Sequence, residues 1–166
     1  MMFKNRTFQW LALIVVVAIL LILDLWLKSW ATNNLQGIRE HQILIPRFLG
    51  LTYHRNTGAA FGFLSGFDSG RWILTIVKII IISGLLWFYN KIPRADNQYW
   101  CIRLPIILII AGGLGNLVDR IMFGYVRDML AFQFVNFPIF NLADIYVVVG
   151  CIAGIIVMLF VVKDFP

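Results

Sequence analysis

Charge is what this sequence has least of. Its 166 residues include 14 Lys or Arg and 8 Asp or Glu, against 61% hydrophobic residues and a mean hydropathy of +0.86. Soluble domains carry roughly a quarter charged residues, so that class is excluded. Two cysteines, Cys101 and Cys151, allow neither a disulfide framework nor a Cys-x-x-Cys metal spacing. Both fall in apolar runs and read as small core residues. The only histidines, His41 and His54, have no carboxylate or cysteine at ligand spacing, so no metal and no cofactor is expected. No Gly-x-Ser-x-Gly elbow offers a serine nucleophile. The net charge of +6 is not gathered into a basic cluster with interleaved aromatics, which excludes nucleic acid as the partner.

What the chain does have is four apolar segments, roughly 8–27, 72–89, 100–118 and 145–162. Each has the length that an α-helix needs to cross a bilayer, about 20 residues. The first is preceded by Lys4 and Arg6, as a signal peptide would be, but Asp24, Trp26, Lys28 and Trp30 follow it in place of a small-residue cleavage site. It reads as an uncleaved span in a single membrane domain, 1–166, interacting with membrane lipids as a monomer.

Four spans put both termini on one side, with residues 1–7, 90–103 and 163–166: six basic residues in 25. The other side, 28–71 and 119–144, holds seven in 70. By the positive-inside rule the termini are cytoplasmic. Asp24, Asp119, Asp128 and Asp144 must then gather at the outer surface, which hydropathy alone does not require. Lys78, the one basic residue inside a span, is expected to snorkel toward that surface.

About 40 residues separate the first two spans, too many for a turn. Gln42–Pro46 and Phe48–His54 have strand character between Gly and Pro breaks. Arg55–Leu64 combines small residues with Phe61, Phe63 and Leu64, too apolar for a free loop. A small sheet lying on the membrane is expected, with this segment dipping toward the helices.

The polar residues at the outer ends form distinct groups. Asp24 and Lys28, four apart, share a helix face in the favourable order for an ion pair. In Ala111–Arg120 the glycines Gly112, Gly113 and Gly115 permit close helix approach, and Asn116, Asp119 and Arg120 end the span with an amide and an expected Asp119–Arg120 pair. Asn116 in hydrocarbon needs a partner from the same cluster. Asn141 fits an N-cap with Asp144 at the third helical position, which leaves Asp144 free for other work. Asp128 has no such structural explanation. If Asp128 and Asp144 approach closely, both cannot ionise at neutral pH and the pair shares one proton. One carboxylate can then take a proton from water while one carboxylic acid protonates a leaving amide nitrogen, which is the chemistry of an aspartic protease.

These groups together resemble the lipoprotein signal peptidase (signal peptidase II) family. The resemblance rests on Asp24-x-x-x-Lys28, Asn56-Thr-Gly58-Ala-Ala-Phe-Gly62, Gly112-Gly-x-Gly-Asn116-x-x-Asp119-Arg120, Val126-x-Asp128 and Phe140-Asn141-x-Ala-Asp144, in the family's order across nearly the whole chain. It implies an aspartic endopeptidase of the bacterial plasma membrane that cuts prolipoproteins before the diacylglyceryl-modified lipobox cysteine and is inhibited by globomycin. It also implies a fold of four transmembrane helices with a β-sheet cradle on the outer face. By motif, Asp128 and Asp144 would be the catalytic pair, supported by Asp24, Lys28, Asn56, Gly58, Asn116, Asp119, Arg120 and Asn141. Leu27, Met129, Leu130 and Ile145 depart from the family's usual residues, and the loop joining the two acids is short. The competing reading is a small transporter or proton channel using membrane-level aspartates. Against it, the spans are clean in their middles and the acids cluster at one surface.

Overall fold

The computed structural model describes residues 5–38, 42–58, 70–93 and 99–162. Phe61, Phe63, Leu64 and His41 lie outside them, as does most of the segment expected to dip toward the helices. The element order is α1 (Arg6–Leu35), β1 (Gln42–Ile45), β2 (Leu49–Asn56), α2 (Gly70–Lys91), α3 (Trp100–Phe123), β3 (Val126–Phe132) and α4 (Leu142–Phe160). All four helices are long and apolar enough to cross a membrane, as the hydropathy predicts. α1 extends well past the expected span, so that Asp24 and Lys28 lie within it rather than at its end.

α3 is the hub. Its most apolar window is 61% buried inside the protein, against 11–17% for the other three helices. α1, α2 and α4 each pack on α3, and α2 and α4 do so with little contact between themselves. The outward faces of α1, α2 and α4 present Ile14, Ile22, Ile80, Ile152 and Ile155, as lipid-facing helices should. Cys101, at the start of α3, and Cys151, on α4, are both exposed; neither is a core residue, which corrects the expectation from composition. At the opposite end from the acids, buried Arg103 donates to the Tyr89 and Ile92 carbonyls, tying α2 to α3.

The glycines act where the helices cross. A Cβ at Gly112 would strike the Ala143 carbonyl oxygen, and one at Gly115 would strike an Asp24 carboxylate oxygen. Only glycine lets α4 and the Asp24 side chain come this close to α3.

β1, β2 and β3 form one antiparallel sheet in that order. The first two strands are the expected ones. β3 is not: the stretch around Asp128 carries no period-2 alternation, because six of its seven residues are buried. Gly124, with φ 81°, ends α3 in the left-handed conformation and turns the chain into β3.

Candidate active site

Local structure brings the two candidate acids together in two steps. Leu130 and Phe140 form an isolated antiparallel bridge, with Phe140 N–H donating to the Leu130 carbonyl at 2.9 Å and Leu130 N–H to the Phe140 carbonyl at 2.8 Å. This bridge folds the short connection back on β3. Asn141 follows at once as the N-cap of α4, and its side-chain oxygen accepts from Asp144 N–H at 3.0 Å. The bridge and the cap together close the connection on the site.

The cap differs from the expected one. Asp144 is not left free: its Oδ2 accepts from the Asn141 N–H at 3.1 Å, completing a reciprocal capping box. Its Oδ1 accepts from the Asn116 amide at 2.7 Å. Both oxygens of this half-buried carboxylate are thus aimed by hydrogen bonds.

Asp128 is 1% exposed and held as tightly. Oδ1 accepts from Asn141 Nδ2 at 2.6 Å and Oδ2 from Asn56 Nδ2 at 2.9 Å. Asn56 reaches it because of a bulge. The β2–β3 register passes from Leu51 opposite Leu130 to His54 opposite Asp128, three residues against two. That extra residue moves Asn56, in place of Arg55, onto the face of the sheet that carries the Asp128 side chain. Burial, and next the Asp144 carboxylate, push the Asp128 carboxyl from its ordinary 3.8 up to about 7. The amide hydrogen bonds from Asn56 and Asn141 oppose that rise.

Behind the acids lies a buried polar layer. Lys28 Nζ pairs with Asp24 at 2.8 Å, lies 3.6 Å from Asp119 and donates to Asn116 Oδ1 at 3.0 Å. Asn116 Oδ1 also accepts from Asn141 Nδ2 at 3.0 Å, so the expected partners of Asn116 are found within the cluster. Asp24 Oδ1 accepts from Ala143 N–H at 2.9 Å, fixing the first turn of α4.

Asp119 does not pair with Arg120. It binds Arg127 by both side-chain oxygens, the shortest contact 2.7 Å, and its Oδ2 accepts the Arg127 N–H at 2.9 Å. Consecutive side chains on a helix diverge by about 100°, so neighbours cannot face one partner. Arg120 turns instead to the Gly58 carbonyl, donating at 2.9 Å. Gly58 N–H in turn donates to Asn56 Oδ1 at 3.1 Å, so Arg120 secures the turn that presents Asn56. In the sequence Arg127 carries no signal beyond being an Arg beside an Asp in an otherwise apolar run.

All ten residues of the sequence-derived site are brought into one cluster. The cluster opens on a cavity of about 590 Å³ walled by α2, α4 and Phe137–Phe140. Asn56, Asn116, Arg120 and Asp144 line it, with Leu74, Val77 and Ile81 among its apolar walls. Lys78, expected to snorkel toward the surface, instead lines the cavity that holds Asp144.

A family model for signal peptidase (SPase) II matches residues 16–160. The lipoprotein signal peptidase of Streptococcus pneumoniae (strain ATCC BAA-255 / R6) is 38% identical over 149 residues, 89% of this chain and 93% of that protein. That of Lactococcus lactis subsp. lactis (strain IL1403) is 38% identical over 146 residues, 88% of this chain and 92% of that protein. A bacterial membrane enzyme solved by the in meso method at 1.9 Å resolution superposes with a TM-score of 0.74 at 35% identity, covering 93% of this chain and 94% of the other. A second, solved at 2.3 Å, gives 0.76 over 89% and 87%. The family model takes in every one of the ordered motifs, from Asp24 to Asp144, and the chain belongs to the signal peptidase II family of membrane peptidases, whose work is signal-peptide removal.

Proposed function

We propose that this protein is an aspartic endopeptidase that cuts prolipoproteins immediately before the diacylglyceryl-modified lipobox cysteine, with Asp128 and Asp144 as its catalytic pair. The observation that carries the proposal is Asn141, which donates to both acids and so holds them as one unit at the end of an apolar cavity. With a pKa of about 7, Asp128 keeps the shared proton at and below neutral pH. Asp144 accepts a proton from the attacking water, whose oxygen bonds to the scissile carbonyl carbon. Asp128 donates its proton to the amide nitrogen as the carbon–nitrogen bond breaks, and the pair then re-partitions its proton. No metal, cofactor or nucleophilic side chain takes part.

The lateral cavity fits a lipidated, membrane-embedded substrate. α2 and α4 flank it while packing chiefly on α3, so a signal-peptide helix can enter between them from the bilayer. Its mainly apolar walls lower the local dielectric, which strengthens charge interactions at the acids. The lower density of basic residues on the side of Asp128 and Asp144 supports cytoplasmic termini and an outward-facing site in the bacterial plasma membrane. Every group proposed for catalysis comes from one chain, which supports a monomeric enzyme.

The decisive experiment is cleavage of a diacylglyceryl prolipoprotein peptide by purified Asp128→Asn and Asp144→Asn variants, beside the unlipidated peptide and with globomycin added. Loss of cleavage with a retained melting transition is expected for both. Full activity in either variant removes the pair.

A further inference from the structure

Lys78 is the only charged residue of α2 between Arg71 and Lys91, and hydropathy places it inside the span. Its helix face is defined by the residues that line the cavity, Leu74, Val77, Lys78 and Ile81, which stand at i, i+3, i+4 and i+7. α2 thus offers the cavity one polar group, and that group is an ammonium. Among the described residues it has no hydrogen-bond or ion-pair partner. The charged groups with which it interacts at longer range are Arg120, Asp144 and Lys28.

A solitary ammonium at membrane depth is costly and is kept where it has an acceptor to meet. The described residues supply none. Asp144 already accepts from Asn116 and from the Asn141 N–H, and Asp128 is enclosed by Asn56 and Asn141. Across the same cavity, Arg120 spends one terminal nitrogen on the Gly58 carbonyl and keeps its buried Nη1 without a partner. Two cationic donors on α2 and α3 therefore look into the space where a substrate beside Asp144 must lie. An extended peptide segment entering from the bilayer brings unsatisfied carbonyl oxygens, and a diacylglyceryl group brings ester carbonyl oxygens. Either meets the need of Lys78.

We propose that Lys78 is a substrate-positioning residue, whose ammonium donates to a carbonyl oxygen of the bound lipidated substrate and sets its depth relative to Asp144. The inference rests on the peptidase reading above, and it assigns Lys78 no proton transfer.

The test is steady-state cleavage of a diacylglyceryl lipobox peptide by Lys78→Met, Lys78→Arg and the parent, with Asp128→Asn as the control for the chemistry. A charge-assisted hydrogen bond lost on binding raises KM by about tenfold or more. The expected result is that rise in Lys78→Met, with kcat changed far less, and partial recovery in Lys78→Arg. An unchanged KM in Lys78→Met overturns the inference, and so does a loss confined to kcat. Should Lys78→Met not fold, as judged by its melting transition, Lys78→Gln replaces it under the same criteria. A dialkylglyceryl (ether) substrate separates the two carbonyl sources: a KM penalty that persists assigns the peptide carbonyl, and one that vanishes assigns the ester. An inactive Asp128→Asn beside an unaffected Lys78→Met leaves the peptidase reading standing and removes only the role of Lys78. An active Asp128→Asn removes the catalytic pair itself.

Discussion

Asn141 donates its side-chain amide to Asp128 Oδ1 at 2.6 Å, and from its place as N-cap of α4 it holds that buried acid against the helix that carries Asp144. A residue whose spacing from Asp144 speaks of capping is the link between the two acids. Capping and site assembly are one task here, because the capping box uses Asp144 itself.

Asn141→Ala should therefore lose on two counts. Removing the cap costs about 1 kcal/mol and lowers the melting temperature in detergent. Removing the side-chain amide releases Asp128 Oδ1, leaves that acid to Asn56 alone, and should lower kcat by far more than the stability change accounts for. Asn141→Asp keeps a good cap but sets a third carboxylate beside Asp128, so it should melt close to the parent and still be inactive. An Asn141→Asp variant with parental activity would contradict this role.

The Asp128 carboxyl also predicts a pH dependence. Its pKa rises from 3.8 to about 7 on folding, so the folded protein binds this proton more tightly than the unfolded chain does. Its contribution to stability is then complete below about pH 4 and is lost as pH rises through about 7. Melting temperatures recorded between these limits should fall with rising pH, and Asp128→Asn should flatten the slope. Activity should decline above neutrality as the shared proton leaves. A slope unaltered in Asp128→Asn would place the titrating group elsewhere.

Asp119 is a structural anchor. It neutralises Arg127, lies near Lys28 and caps the Arg127 N–H, clasping β3 to the end of α3. Breaking a buried pair from one side costs about 3–5 kcal/mol, because the other charge stays buried. Asp119→Leu should lower the melting temperature by many degrees. The double variant Asp119→Leu with Arg127→Met should recover part of that loss, and no recovery would mean that the backbone contact dominates.

The glycines of two helices should respond oppositely. In Gly112→Ala the new methyl meets the Ala143 carbonyl and Val147 Cγ2 at 2.8 Å, forcing α3 and α4 apart one residue from Asp144. Activity and melting temperature should both fall. At Gly84, in α2, nothing lies within 4 Å of an added Cβ. Gly84→Ala should be neutral or stabilising by up to about 1 kcal/mol, from helix propensity alone. Equal effects at the two positions would show that the α3–α4 contact is looser than this.

The sequence by itself determined the four helices, the gathering of acids at one end and the Asp24–Lys28 pair. Each depends on hydropathy or on fixed helical spacing, which are local properties. The scarcity of polar residues also marked Asp24, Lys28, Asn116, Asp119, Arg120, Asp128, Asn141 and Asp144, whereas Asn56 and Gly58 stand out only through the family's motif and Arg127 does not stand out at all. Tertiary structure decided the partners. Asp119 chose Arg127 over its neighbour Arg120 because adjacent helical side chains diverge. Asn56 met Asp128 because a bulge moved it to the right face of the sheet, and Lys78 turned to the cavity because α2 packs on α3 with that face left open. β3 escaped notice because a strand buried on both faces loses its alternation. Register, bulge and helix packing are set by contacts between distant segments, and no local pattern in the sequence records them.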